Sequence, residues 1–384
     1  MKQPSEVQLC NFEIIIKQFH PTSIHKSMER IVKFVLKLIG TIVIILGFSQ
    51  LLIAASISLL IRRFVIALAR IQRPDFAQMM QGMSQIFALE SYQAASSCNI
   101  ILYMVCDGTI SLDLLRQQFL IKLMPATCMS NPEADEDPYA RLRQFWAKYM
   151  GFLFWQWEVD FRAEKHIRHY DCSDIGVALT EGGVCSEEDL KRITAPLLAK
   201  PFVAGQSPWE LLLMENYKSH ENNDGHRQCV VAIRIHHALA DGISLVKMIS
   251  RLFDNETADF TTATFPQLSL AKRILRNVLV TLRGPYDLAS KYFVDCYDSR
   301  NCWYMVDEQR PKQYHALFSE VIQVGKIKEI MKEYGVCYNA VLYAVTAGAI
   351  VKLMKEAGQK IPARLSSFYS CPLPGHPGGL ENYV

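Results

Sequence analysis

Several common patterns are missing from this 384-residue chain. Its 11 cysteines run from Cys10 to Cys371 without one C-x-x-C pair, so metal-ligand spacing is absent. The set is odd in number and dispersed, which a reducing compartment tolerates. Charge of one sign is lacking too: 41 Lys and Arg stand against 38 Asp and Glu, for a net charge of +3. No dense basic stripe with interleaved aromatics occurs, which argues against a nucleic-acid partner. No G-x-S-x-G string is present. Ser207 lies in GQSPW and Ser244 in GISLV, so the nucleophile elbow of serine hydrolases is excluded. There is no internal repeat and no low-complexity tract. With 50% hydrophobic and 21% charged residues, the chain has room for two ordinary domains, or for one large α/β unit with an anchor.

The first feature present is a long apolar run. Leu38 to Ile61 reads LIGTIVIILGFSQLLIAASISLLI, without a charged residue. At about 1.5 Å per residue it can cross a hydrocarbon core of about 30 Å. It starts too late for a signal peptide. A buried core helix is the alternative. Lys26, Arg30, Lys33 and Lys37 flank one side, and Arg62, Arg63, Arg70 and Arg73 the other, so the positive-inside rule gives no orientation. Asn255-Glu256-Thr257 is a formal glycosylation sequon.

Beyond this run the pattern is α/β. Asn99–Cys106, followed by Asp107-Gly108, reads as strand and turn. Ser111–Leu123 has helical spacing, and Asn131–Pro138 is an acidic loop. Cys229–Ile235 is a second strand and Ile243–Phe253 a second helix. Thr257–Gln267 reads as linker. Leu268–Leu282 is a basic amphipathic stretch, suited to a protein surface or a membrane surface alike.

The segment with chemical content is CVVAIRIHHALADGISLVKMI. A period of two places Val231, Ile233, Ile235 and His237 on one strand face, with Ala232, Arg234 and His236 on the other. The two histidines therefore point different ways. Asp241 and Gly242 fall in the turn that opens the next helix. A neutral imidazole can take the proton of an alcohol as the alcohol attacks a thioester. A thiolate leaves readily, so no covalent intermediate is required.

The H-H-x-x-x-D-G string at a strand-to-helix turn resembles that of acyltransferases similar to chloramphenicol acetyltransferase, and of peptide-synthetase condensation domains. The surroundings resemble the wax ester synthase/diacylglycerol acyltransferase family. Ser207-Pro208-Trp209-Glu210-Leu211 is similar to its P-L-W-E-L segment. Gly335 to Leu342, through Asn339, is similar to its G-x-T-x-N-D-V-x segment. Pro372-Leu373-Pro374-Gly375 with Leu380-Glu381-Asn382 resembles its P-x-x-L-G-N segment, and Gly82–Leu89 its start. There are departures. Ala340 stands where the family has an acid, Glu381 where it has glycine, and Ser84 or Gln85 where it has an aspartate. No D-F-G-W-G segment of plant alcohol acyltransferases occurs.

The resemblance implies two similar α/β halves with a tunnel between them and an N-terminal transmembrane helix. It implies His237 as general base, His236 as supporting, and Asp241 as structural, paired with an arginine. Gly242, Trp209 and Asn339 would support the site. A Pro-Trp pair before a strand also suits a packing anchor, and Asn339 also suits a helix cap. No cofactor is bound. Acyl-CoA is the co-substrate, and a fatty alcohol or diacylglycerol the membrane-borne acceptor. Acyl-CoA chemistry favours a cytosolic catalytic side on the endoplasmic reticulum or plasma membrane.

The expected segments are 1–37 polar and basic, 38–61 transmembrane, 76–267 the first half, 268–317 a crossover, and 318–384 the start of a second half that is incomplete. The competing readings are an acyltransferase with a different acceptor, and an inactive truncated pseudoenzyme that binds lipid or acyl-CoA.

Overall fold

The computed structural model describes residues 23–124, 137–179, 184–218, 227–254, 268–295, 315–319, 322–361, 376 and 378–383. The linker Thr257–Gln267, the sequon, the segment Pro372–Gly375 and most of the acidic loop Asn131–Pro138 lie outside them. Contacts divide the chain into two discontinuous units. One holds Met1–Leu59, Pro266–Val306 and Gln323–Phe368, and the other Leu60–Phe265, Asp307–Ile322 and Tyr369–Val384.

The second unit carries the sheets. β1 (Phe76–Met79), β4 (Phe152–Trp157) and β3 (Gln144–Tyr149) form a three-stranded sheet in the order β1-β4-β3. The larger sheet has the order β2-β8-β7-β5, with β6 also on β7. Its strands are β2 (Asn99–Asp107), β5 (Ile167–His169), β6 (Cys185–Ser186), β7 (Trp209–Lys218) and β8 (Gln228–His236). β8 lies antiparallel between β2 and β7 over nearly its whole length.

The apolar run in β8 has a physical reason, since both its faces are covered. Val231, Ile233 and Ile235 face a core shared with Leu115 and Phe119 of α3 (Leu112–Leu123) and with Leu245 and Met248 of α6 (Gly242–Leu252). Val230 and Ala232 face Leu190, Ile193 and Leu197 of α5 (Glu187–Ala199). The alternation expected along this strand is therefore observed. Each fully buried Leu, Ile or Phe stabilises the unit by about 1.5–3 kcal/mol.

The ends of these helices are set by their sequence. The Ser111 side chain accepts from the Leu114 N–H and starts α3. Ser186 and Asp189 form a reciprocal capping box on α5. Gly108, at φ +87°, turns the chain out of β2. The strand expected over Asn99–Cys106, the strand over Cys229–Ile235 and the helices after Ser111 and Asp241 all form, with ends shifted by one residue. α2 (Gly82–Phe87) and the short α4 (Ala163–His166) complete the unit's helices.

The first unit is helical among its described residues. α1 (Ser23–Gln72) begins in it and contains the whole charge-free run. Leu38, Ile42, Val43, Leu46, Phe48, Ile53 and Leu59 are all exposed. From Arg30 to Gln72 the helix is long and apolar enough to cross a membrane. A buried core helix does not describe it, because only 6% of its most apolar window is buried. The basic amphipathic stretch becomes α7 (Leu270–Ala289). α8 (Val324–Tyr334) ends on left-handed Gly335, and α9 (Tyr338–Glu356) follows at 101°.

Candidate active site

β8 ends at His236, and a tight turn leads to Asp241, the N-cap of α6. The turn therefore gathers His236, His237, Asp241 and Gly242.

His236 is fully buried. Its Nδ1 accepts the Ala238 N–H at 3.1 Å. Nδ1 thus lacks a proton, and Nε2 carries it and donates to Ser96 Oγ at 3.1 Å. The Ser96 hydroxyl donates in turn to Glu90 Oε2 at 2.7 Å. Glu90 also accepts the Ser97 N–H at 2.8 Å and the Ser97 hydroxyl at 2.6 Å. Trp146 packs edge-on to the His236 ring at 4.8 Å. Burial is the largest influence on this imidazole and lowers its pKa. Glu90 pulls the other way, His237 and Arg234 add to the fall, and the result is about 4. Both ring nitrogens are engaged and the ring stays neutral.

His237 is only half-buried. Phe87 of α2 stacks on it with ring centroids 3.9 Å apart and planes 17° apart. Its Nδ1 lies 3.0 Å from Asn382 Oδ1. Asn382 Nδ2 donates to the His237 and Ala238 carbonyls at 2.8 and 3.2 Å and to Ser84 Oγ at 3.0 Å. Among the described residues nothing meets Nε2.

Asp241 holds the segment that carries Asn382. Its carboxylate accepts the Ser244 N–H at 2.8 Å, the Tyr383 N–H at 2.9 Å and His376 Nε2 at 3.2 Å. Its own N–H donates to the Glu381 carbonyl at 3.1 Å, and Ser244 Oγ donates there at 2.8 Å. Burial acts to raise the Asp241 pKa, but the Ser244 and Tyr383 amides, the Ser244 hydroxyl and His376 more than offset it and hold the carboxyl below its usual range. Among the described residues the ion-pair partner of Asp241 is His376; the arginine implied by the resemblance is not found among them. Glu381 stands where the resemblance has glycine, and its backbone N–H and C=O make these contacts.

Trp209 is a packing anchor. It is buried, its indole N–H donates to the Leu142 carbonyl at 2.7 Å, and it stacks between Phe119 at 4.9 Å and His166 at 4.5 Å. Gly242 is the first residue of α6. Asn339 lies in the first turn of α9, in the helical unit. The cap position there is Cys337, without a side-chain cap bond, which corrects the expectation that Asn339 caps this helix.

The sequence reading did not single out Ser96, Glu90, Phe87 and His376. It quoted Asn382 only within a segment, and Ser84 only as a departure. Glu90 and Ser96 belong to no motif. Among the described residues no group of three or more metal-ligating side chains gathers.

Residues 133–291 match the family model described as the wax ester synthase/diacylglycerol acyltransferase catalytic domain. This stretch, which includes Trp209, both histidines, Asp241 and Gly242, is similar to that domain. A sequence comparison with curated proteins gives no match.

Among solved structures, the chain is similar to the wax ester synthase/diacylglycerol acyltransferase of Marinobacter aquaeolei VT8. That match has 15% identity and a TM-score of 0.38, and covers 73% of this chain and 61% of that one. It is also similar to the first condensation domain of the calcium-dependent antibiotic synthetase, at 12% identity and TM-score 0.31, covering 46% and 37% of the two chains. The X-domain from teicoplanin biosynthesis matches at 15% identity and TM-score 0.28, covering 47% and 32%. The chain thus spans less than two thirds of the length of each, and at these values the likenesses say nothing about chemistry.

Proposed function

We propose that this chain is a membrane-anchored O-acyltransferase that moves a long-chain acyl group from acyl-CoA to a fatty alcohol or diacylglycerol. His237 is the general base. Its Nε2 takes the hydroxyl proton as the alcohol oxygen attacks the thioester carbonyl. The tetrahedral intermediate collapses, the C–S bond breaks, and the imidazolium returns the proton to the CoA thiolate. No covalent enzyme intermediate forms. His236 shapes the turn, and Asp241 with Gly242 starts the helix behind it.

The observation that carries this reading is the contrast within the histidine pair. His236 has both ring nitrogens engaged, whereas His237 is half-buried and its Nε2 is met by nothing among the described residues. The family match supports the reaction class. The exposed apolar face of α1 supports the anchor, and the need for acyl-CoA favours a cytosolic catalytic side.

The test is acyl ester formation from acyl-CoA by the full chain and by His237→Ala, with the acceptor varied. Loss of about 100- to 10,000-fold in rate is expected from removing a general base. Unchanged turnover would reject the role of His237. Carbonate extraction and protease protection of microsomes test the anchor, and a protected catalytic region would reverse its orientation.

One observation favours a second reading, a lipid- or acyl-CoA-binding pseudoenzyme: Ala340 stands where the family has an acid. Saturable acyl-CoA binding without ester formation would support it.

A further inference from the structure

We infer that Asn382 is a positioning residue that decides which nitrogen of His237 carries the proton. This rests on the reading of His237 as the base and adds how that base is prepared. Two backbone carbonyls, of His237 and Ala238, lie 2.8 and 3.2 Å from Asn382 Nδ2. A carbonyl can only accept, so the amide NH2 must face them. Reversing the amide would set oxygen against oxygen twice, each loss costing about 1–3 kcal/mol. Oδ1 must therefore face His237 Nδ1, at 3.0 Å. Oδ1 has no proton to give, so Nδ1 is the donor. The neutral ring then has its lone pair on Nε2, the nitrogen that nothing else meets among the described residues. Phe87, stacked at 3.9 Å, holds the ring plane.

Asn382 is itself fixed from both sides along the chain. The Glu381 carbonyl accepts from the Asp241 N–H, and the Tyr383 N–H donates to the Asp241 carboxylate. Asp241 therefore acts on His237 through the backbone that carries Asn382, with no contact to the ring. The Asn382 amide is neutral, so it sets the tautomer without adding a charge beside the ring. His236 shows the opposite arrangement one residue along the backbone. There an amide N–H faces Nδ1 and forces the proton onto Nε2.

The experiment uses the full chain, labelled with nitrogen-15 at histidine, in bilayer nanodiscs. His237 is assigned by difference against His237→Gln. The neutral His237 ring is expected to show a protonated Nδ1 and an unprotonated Nε2. In Asn382→Leu, which is close in shape and has no amide, the proton is expected to move toward Nε2. The His236 signals, with the proton on Nε2, stay in place and report that the fold is intact. A wild-type His237 protonated at Nε2, or an Asn382→Leu protein with an unchanged His237 tautomer, would overturn the inference.

Asn382→Asp keeps an acceptor beside Nδ1 and adds a charge. It should keep the Nδ1–H form of His237. A His237 proton on Nε2 in this variant counts against the inference, and this variant decides the matter if Asn382→Leu loses its His236 signals. The readout needs no turnover. Failure of His237 as the base would appear in the acyl-transfer assay alone, and failure of the tautomer assignment in these spectra alone.

Discussion

The turn after β8 places one imidazole among Ser96, Trp146 and the Ala238 amide, and the next against Phe87 and Asn382. On the His236 side both ring nitrogens are filled, Nδ1 by the Ala238 N–H and Nε2 by Ser96, which Glu90 holds in turn. On the His237 side Phe87 comes from α2 and Asn382 from near residue 380, and among the described residues one nitrogen is left unmet. A sealed histidine stabilises a turn, while a histidine with one oriented, open nitrogen can exchange a proton. Identical residues one position apart meet different neighbours because His236 is the last residue of β8 and His237 the first of the turn that follows.

The largest effect that would break this contrast is expected at Asp241. Asp241→Ala removes the acceptor of the Ser244 and Tyr383 amides and of His376. Stability should fall by about 3 kcal/mol, and residues 376–383 should become more susceptible to protease. Acyl transfer should fall by a factor approaching that of losing the base. Full transfer with a protease-resistant segment would show that Asp241 does not hold Asn382 in place.

Next comes pH. His236 falls from an ordinary 6.5 to about 4 on folding. Between these values the unfolded chain binds the proton that the folded one refuses. The stability from keeping the ring neutral is therefore complete above about pH 6.5 and drains away as pH falls toward 4, by about 3 kcal/mol at most. Urea unfolding across this range should show the slope in the wild type and a flatter curve in His236→Gln. Equal slopes would mean that His236 is not sealed as described.

Trp209→Phe should have a smaller effect. The ring stack survives, but the Leu142 carbonyl loses its indole partner, for about 1–2 kcal/mol. Any loss of transfer should track the loss of folded protein. A transfer defect in fully folded Trp209→Phe would move this residue from packing to substrate contact.

How much of this was legible in sequence depends on how local the cause is. β8, its alternation and the cap at Asp241 follow from contiguous residues, and all were readable. The β3–β4 hairpin was not. Its turn is Met150-Gly151, with φ of 48° and 82°. Such a turn is usually announced by Asn-Gly or Asp-Gly, and methionine gives no such signal. Asn382 was visible as part of a segment, but its bond to a ring 145 positions earlier is a product of the fold. The same holds for His376, whose contact with Asp241 spans 135 positions. At α9 the sequence suggested Asn339 as the cap, whereas the helix starts one residue earlier and uses Cys337. The charge-free run of α1 was plain from composition, because an apolar helix of that length needs no partner residues to be recognised.

The measurement closest to the central claim compares the two histidines directly. Acyl transfer from labelled acyl-CoA to a lipid alcohol is followed for the wild type, His236→Gln and His237→Gln in the same membrane preparation, per folded molecule. The account predicts a loss of about 100-fold or more for His237→Gln, and for His236→Gln a much smaller loss that follows its lower stability. Equal losses, or a larger one at His236, would contradict it.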